Sequence, residues 1–422
     1  MARQGKTLPT GLPGRGERRD EPDPVHCQVC DAVTRPGLNL GLQPVGDLVL
    51  DRVALDEPET YYPMRMHHCD DCGLTQLGYV VDPDVVYKNF PFVSGTTQTA
   101  RQHLMSLPTA LAERHGIGPE SFAVDIGSND GTLLKGWLPV GNRFLGVDPS
   151  GDPVRIANDQ GLTTWHAFFN EETGDRILQE YGQADAVTAC GCFAHIAALG
   201  SIMKGIVAIL APDGVFASDN QYWLDMVQRL HYDNAFHQHL RYYSLKPLDH
   251  LFAQYGLEVF DVERSDTYGG QIRVFGGHAG AHPIHERVHE LRALEEQLGL
   301  YEPDTQARYE RQVQERRDIL FDDVYGRKKA GQKLIGIGAP AKASTVCTYC
   351  GIGAHHLDYI TEINPLRIDT YLPGAHIPIV DERRMFEDSE PADAAVLFAW
   401  NYADELLPKL RERGWTGDVI LP

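Results

Sequence analysis

Residues 122–134, FAVDIGSNDGTLL, constrain the fold of this 422-residue chain more than any other stretch. A buried-type strand runs into an acid, turns on glycines and enters a helix start. FLGVDPS then closes a second strand with another acid, Asp148. In a doubly wound α/β sheet such glycines let the backbone approach a nucleotide, and an acid closing the second strand takes the ribose hydroxyls. The loop lacks the GxGxxG spacing of dinucleotide sites and begins with an acid. It therefore fits the amino and carboxylate tail of S-adenosylmethionine (SAM) better than a pyrophosphate, with NAD as the rival reading. The candidate cofactor residues are Asp125, Gly127, Asn129, Gly131, Asp148 and Pro149.

A second constraint lies upstream. Cys27-Gln-Val-Cys30 and Cys69-Asp-Asp-Cys72 are two CxxC knuckles with short strand-like segments between them, enough for one tetrahedral zinc site. The ligands are either Cys27, Cys30, Cys69 and Cys72, or a set in which His26 or His68 replaces one thiolate. With all positions filled by protein, the metal is structural and supports a domain too small to build its own core.

The length implies several domains. A formal net charge of −21 argues against nucleic acid or an anionic membrane surface as partner. Small molecules or other proteins remain. No apolar run approaches the roughly 20 residues of a spanning helix, and the N-terminus lacks an apolar signal core, so the expected location is the cytosol. Residues 1–24, rich in Gly, Pro and charge, read as a disordered lead-in.

The chemistry concentrates at 231–245, HYDNAFHQHLRYYSL, which packs three histidines, a glutamine and three tyrosines into one stretch past a strand. A solvated helix start would look similar. CGCFAHI after the fourth strand brings His195 to the same sheet edge, with Cys190 and Cys192 as small buried fillers. An aromatic-rich segment before Ser94-Gly95-Thr96 is either a cover over a ligand or a packed linker. After the histidines, a hairpin turns at Gly269-Gly270, and residues 283–330 read as connector helices. A last α/β unit begins at GIGAPAKAS, where a helix start and Lys342 could hold a phosphate. Cys347 and Cys350 there lack partner ligands and read as packing.

Taken together, the four cysteines, SGT at 94–96, DIGSNDGTLL, AHI at 194–196, FHQHLRYYSL, YGGQIRVF, GIGAPAKAST, YLPGAHIPI and AWNY occur in the order of a known family. The chain resembles the SAM-dependent C-methyltransferases of deoxysugar biosynthesis, which act on nucleotide-linked keto sugars of natural products. The resemblance implies an α/β protein with an N-terminal zinc-binding domain (25–80), a central Rossmann-like SAM domain (81–282), a connector (283–330) and a C-terminal Rossmann-like substrate domain (331–422). It implies His239 as base, with His195 and His237 near the ketone and Gln238 and Tyr242 in the same block. It places the substrate near Phe90, Ser94, Asn220, Phe236, Tyr268, Gly269, Gly270, Lys342, Asn364 and His376.

Three positions depart from the family, one of them the aromatic before SGT, a Tyr in relatives and here Phe90 or Phe92. Where relatives read Tyr-His-Glu-His, this chain has Phe236-His237-Gln238-His239. Three explanations follow: the same reaction with a relocated donor such as Tyr242, Tyr243 or Tyr268, a different natural-product acceptor (another acidic carbon, or O or N), or SAM binding without catalysis. The sequence is silent on oligomeric state.

Overall fold

Short strands between two cysteine knuckles can cover only one face of a core, and the zinc unit borrows the rest of its sheet from elsewhere in the chain. Its strands β1 (Arg35–Gln43), β2 (Tyr62–His68) and β3 (Thr75–Leu77) pair antiparallel. Alternation along β2 turns Met64, Met66 and His68 inward. The computed structural model describes residues 24–87 and 94–422.

The central sheet is built on β4 (Phe122–Ile126), β5 (Arg143–Asp148), β6 (Thr164–His166), β7 (Ala184–Cys190) and β8 (Leu210–Gln221). These five are parallel, and β4 is buried at every position, as expected of a strand covered by helices on both faces. Next in the chain comes β9 (Arg241–Tyr242), which leaves this sheet. It pairs with β3 through Thr75 opposite Tyr242 and Gln76 opposite Arg241, and so becomes the fourth strand of the zinc sheet. The histidine block of 231–245 is thereby fastened to the zinc unit.

The expected hairpin forms from β10 (Leu257–Ser265) and β11 (Gln271–His278), and β11 lies antiparallel against β8. The central order is β6-β5-β4-β7-β8-β11-β10. Two helices, Glu286–Gln297 and Pro303–Lys329, form the connector. A third sheet holds β12 (Leu334–Ile337), β13 (Ile360–Glu362), β14 (Thr370–Tyr371), β15 (Pro378–Asp381), β16 (Ala394–Leu397) and β17 (Asp418–Ile420), all parallel except β14. Among the described residues no helix is long and apolar enough to cross a membrane.

Candidate active site

The carboxyl ends of the central strands open into a cavity of about 1200 Å³ that continues to the glycine loop of the C-terminal sheet. Parallel strands end there with unpaired amides and carbonyls, which is why ligands of doubly wound sheets bind at this edge. At one end, β4 and β5 bring Gly127 and Asp148 together. Gly127 has φ +70°, and a Cβ there would lie 2.6 Å from that of Cys192, so no other residue fits. The Asp148 carboxylate accepts the amide of Asn129 at 3.0 Å on one oxygen and that of Ser150 at 2.8 Å on the other. Burial pushes this carboxyl up and the two amides partly offset it.

Each oxygen of Asp148 keeps a lone pair for a sugar hydroxyl, and Pro149, Phe168 and Phe169 form an apolar wall beside it. This combination fits an adenosyl group. Two expected cofactor residues stand behind the loop and do not line the cavity. Asp125 is 3% exposed and accepts the Thr188 hydroxyl at 2.6 Å, with burial pushing its carboxyl up to about 7. Gly131 is covered by Leu162 and Ala157.

The histidine block meets the cavity through Phe236, Gln238 and His239. Nδ1 of His239 lies 2.8 Å from the carbonyl of Asn234. A carbonyl only accepts, so Nδ1 carries the hydrogen and Nε2 keeps its lone pair. The His195 ring lies 4.9 Å from that of His239, centroid to centroid, and Phe236 lies 3.9 Å from it on average ring position. Burial pushes His239 down to about 4 and His195 well below its usual value, each helped by a neighbouring cation-forming group, so both are neutral at pH 7. Ser94, Asn220, Tyr268, Lys342 and Asn364 line the same cavity.

Several expected residues sit elsewhere. His237 points the other way from its neighbours, 1% exposed and edge-on to Tyr62 at 5.8 Å, because it sits in a turn closed by the His239 amide on the Phe236 carbonyl, which directs this side chain toward the zinc unit. Tyr242 is consumed by β9 and packs 6.1 Å from the Trp223 ring. Gly269 lies under Trp400 and Gly270 under Asp225, so the turn supports Tyr268 without lining the cavity. His376 is exposed and 3.0 Å from Glu59, where it ties the C-terminal domain to the zinc unit. Phe90 lies outside the described residues.

Lys342 is 6% exposed, 2.8 Å from the Asn401 amide oxygen and 3.8 Å over the Trp400 ring. Burial lowers its ammonium to about 8, with Asp233 opposing at 3.8 Å. Several lining residues escape sequence reading, among them His103, Asp219, Asp47 and Arg367. His103 and Asp219 form a pair at 2.5 Å, with Arg273 2.8 Å from the same carboxylate. Burial drives the Asp219 carboxyl up, and Arg273 with His103 outweighs it, so the group is held below the usual carboxylate range. Asp219 ends a recognisable strand, which was the available signal. Asp47 and Arg367 come from the zinc unit and the C-terminal domain and had none.

The zinc site is unambiguous in composition. The sulfurs of Cys27, Cys30, Cys69 and Cys72 lie within 4.8 Å of one another, with Cys27 to Cys72 at 3.5 Å and Cys30 to Cys69 at 3.4 Å. Zinc–sulfur bonds of about 2.3 Å in a tetrahedron need sulfurs about 3.8 Å apart, so the four thiolates fit the ion. His68 is engaged with Thr75 at 2.9 Å and His26 with the Asp31 carbonyl at 2.8 Å, so neither is needed as a ligand.

Three family models match in order: a zinc binding domain at residues 27–87, a methyltransferase domain at 99–262 and a C-methyltransferase C-terminal domain at 266–422. The C-methyltransferase NovU of Streptomyces niveus is 33% identical over 355 residues, 84% of this chain and 84% of that protein. Among solved structures, magnesium protoporphyrin IX methyltransferase of Synechocystis PCC 6803 with bound SAH aligns with 43% of this chain and 84% of its own, at 13% identity and TM-score 0.34. A SAM-dependent methyltransferase of Clostridium acetobutylicum aligns with 43% of this chain and 92% of its own, at 14% identity and TM-score 0.34. On the extent of the match to NovU and the three domain matches, the chain belongs to the family of SAM-dependent C-methyltransferases that carry an N-terminal zinc binding domain.

Proposed function

We propose that the chain methylates the carbon next to the ketone of a nucleotide-activated keto-deoxysugar. The observation that carries this reading is the continuity of one cavity from Gly127 and Asp148, past His195 and His239, to Gly338, Lys342 and Asn364. A cavity of about 1200 Å³ accommodates a cofactor and a second large ligand together.

On this reading Nε2 of His239 takes the proton from the carbon beside the ketone, and the C–H electron pair moves into the enolate. His195, being neutral, has an N–H to offer the developing oxyanion. SAM held at Asp148 and Asn129 would supply an electrophilic methyl group, with its sulfur as the neutral thioether leaving group. The carbon–methyl bond forms from the enolate pair as the sulfur–methyl bond breaks. Asp148 and Asn129 orient the donor side, while Lys342 and Asn364 hold the nucleotide side and exclude water.

The test is methyl transfer from SAM labelled in its methyl group to a panel of nucleoside-diphosphate keto-deoxysugars. A C-methylated sugar nucleotide is the expected product. Label passing only to other acceptors, or SAM bound tightly with no transfer at all, would contradict the reading.

A further inference from the structure

Asp47 belongs to the zinc unit by sequence and to the cavity by position. It is 6% exposed, and the segment that carries it crosses to the C-terminal domain. The approach is close: a Cβ on Gly46 would lie 2.4 Å from the Ala341 carbonyl oxygen, so only glycine allows the crossing. One oxygen of the Asp47 carboxylate accepts from the Arg367 guanidinium, which also donates to the Ala339 carbonyl at 2.8 Å. The other oxygen accepts the Gln238 amide at 2.9 Å. Arg367 and Gln238 are themselves buried, at 5% and 1% exposed. A single carboxylate thus ties the zinc unit, the C-terminal glycine loop and the residue next to His239.

Removing a charge from water is costly unless it is paired, so a buried carboxylate with one cation and one amide is a specified arrangement. The chemistry of the two partners is complementary. Gln238 can donate to Asp47, whereas a glutamate there would set two carboxylates against each other. The Asp47 charge also acts on His239 in the direction that favours its protonated form, opposing Lys342.

We propose that Asp47 is a positioning residue of the methyl-transfer site: paired with Gln238, its carboxylate holds the Phe236–His239 segment and supplies from the zinc unit the negative charge beside His239. The role assigned to His239 rests on the proposed function; the pair itself does not. The pairing makes a reciprocal swap meaningful. In Asp47→Asn with Gln238→Glu, the new amide can still accept from Arg367 through its oxygen and donate to the new carboxylate through its nitrogen, with total charge unchanged.

The experiment is a double-mutant cycle of Asp47→Asn, Gln238→Glu and the two combined, in the zinc-loaded full chain. Its readouts are turnover of a nucleoside-diphosphate 4-keto-6-deoxysugar, SAM affinity, thermal midpoint with S-adenosylhomocysteine, and the His239 titration followed by NMR. Gln238→Glu is expected to lose at least about tenfold in turnover, to recover partly at lower pH as the two carboxyls share a proton, and to bind SAM within about twofold of the parent. Asp47→Asn is expected to shift the His239 titration downward. The combined variant is expected to regain turnover to within about fivefold of the parent and to restore the titration.

Additive losses in the combined variant, or single variants that match the parent in turnover and in the His239 titration, overturn the proposal. Should Gln238→Glu fail to fold, a folded combined variant supports the pair and an unfolded one overturns it. Should the parent turn over no keto sugar, the proposed function fails separately, and the thermal and NMR cycles still decide for or against the pair.

Discussion

Nδ1 of His239 donates to the backbone carbonyl of Asn234 at 2.8 Å, and this one bond sets which ring nitrogen can act on a substrate. With the ring pushed down to about 4 by burial, Nε2 is already unprotonated at neutral pH. Turnover should therefore be flat between about pH 5.5 and 7.5 as far as this group is concerned, falling only as pH approaches 4. A histidine at its ordinary value near 6.5 would lose half its base form at that pH. A pH–rate profile of kcat/KM separates the two, and an acid limb centred near 6.5 that disappears in His239→Ala would contradict a ring held neutral by burial.

The same burial has a consequence for stability. His231, His237 and His239 are each pushed from 6.5 down to about 4, by burial first in every case. Depressed folded values mean that the unfolded chain binds more protons, so these groups favour the fold above about 6.5 and lose that contribution as pH falls toward 4. Asp125, raised to about 7 by burial, works in the opposite sense over part of the window, as do Asp148 and Glu295, while His68 and His195, lowered by burial, add to the histidine set. The thermal midpoint should fall between pH 7 and pH 5 by calorimetry. A constant or rising midpoint over that range would show that these rings are not buried neutral.

Because β9 is the fourth strand of the zinc sheet and follows His239 by two residues, metal and activity should be lost together. Metal analysis should find about one zinc per chain, and a strong chelator should remove it along with turnover. On the proposed function, SAM is held at the end of the cavity lined by Gly127, Asn129 and Asp148, and its binding should weaken less. A metal-free protein that keeps full turnover would disconnect the zinc unit from the site.

Asp219 is 2% exposed at its side chain and faces both Arg273 and His103. Truncating it leaves a buried guanidinium without its carboxylate, so Asp219→Ala should destabilise the fold by about 3–5 kcal/mol. Asp219→Asn, which keeps a hydrogen-bond acceptor, should cost less. Denaturant unfolding measures the difference, and equal stability for the alanine variant would mean that the pair contributes nothing.

The parts legible in the sequence were those with local chemistry. The strand, glycine turn and acid of 122–148 bring Gly127, Asn129 and Asp148 to the cavity, and the CxxC spacing identified the four thiolates. What could not be read was direction and distance. Directions within FHQH are set by a turn closed by the His239 amide on the Phe236 carbonyl at 2.9 Å, and Tyr242 is fixed by β9 pairing with residues far away, so His237 and Tyr242 face the zinc unit while Gln238 and His239 face the cavity. His376 carries the same lesson: it follows a loop at the expected edge, yet its partner is Glu59, more than 300 positions earlier. Asp47 and Arg367 meet across a similar separation, and no periodicity records such a pairing.

The most direct test of the account is proton exchange. Offered a nucleoside-diphosphate keto-deoxysugar in D₂O with S-adenosylhomocysteine in place of SAM, the enzyme should wash deuterium into the carbon next to the ketone, and His239→Ala should slow that exchange by about 10²–10⁴ while leaving S-adenosylhomocysteine affinity within about twofold. Exchange that proceeds undiminished in His239→Ala, or none at all with the parent enzyme on a substrate it methylates, would contradict it.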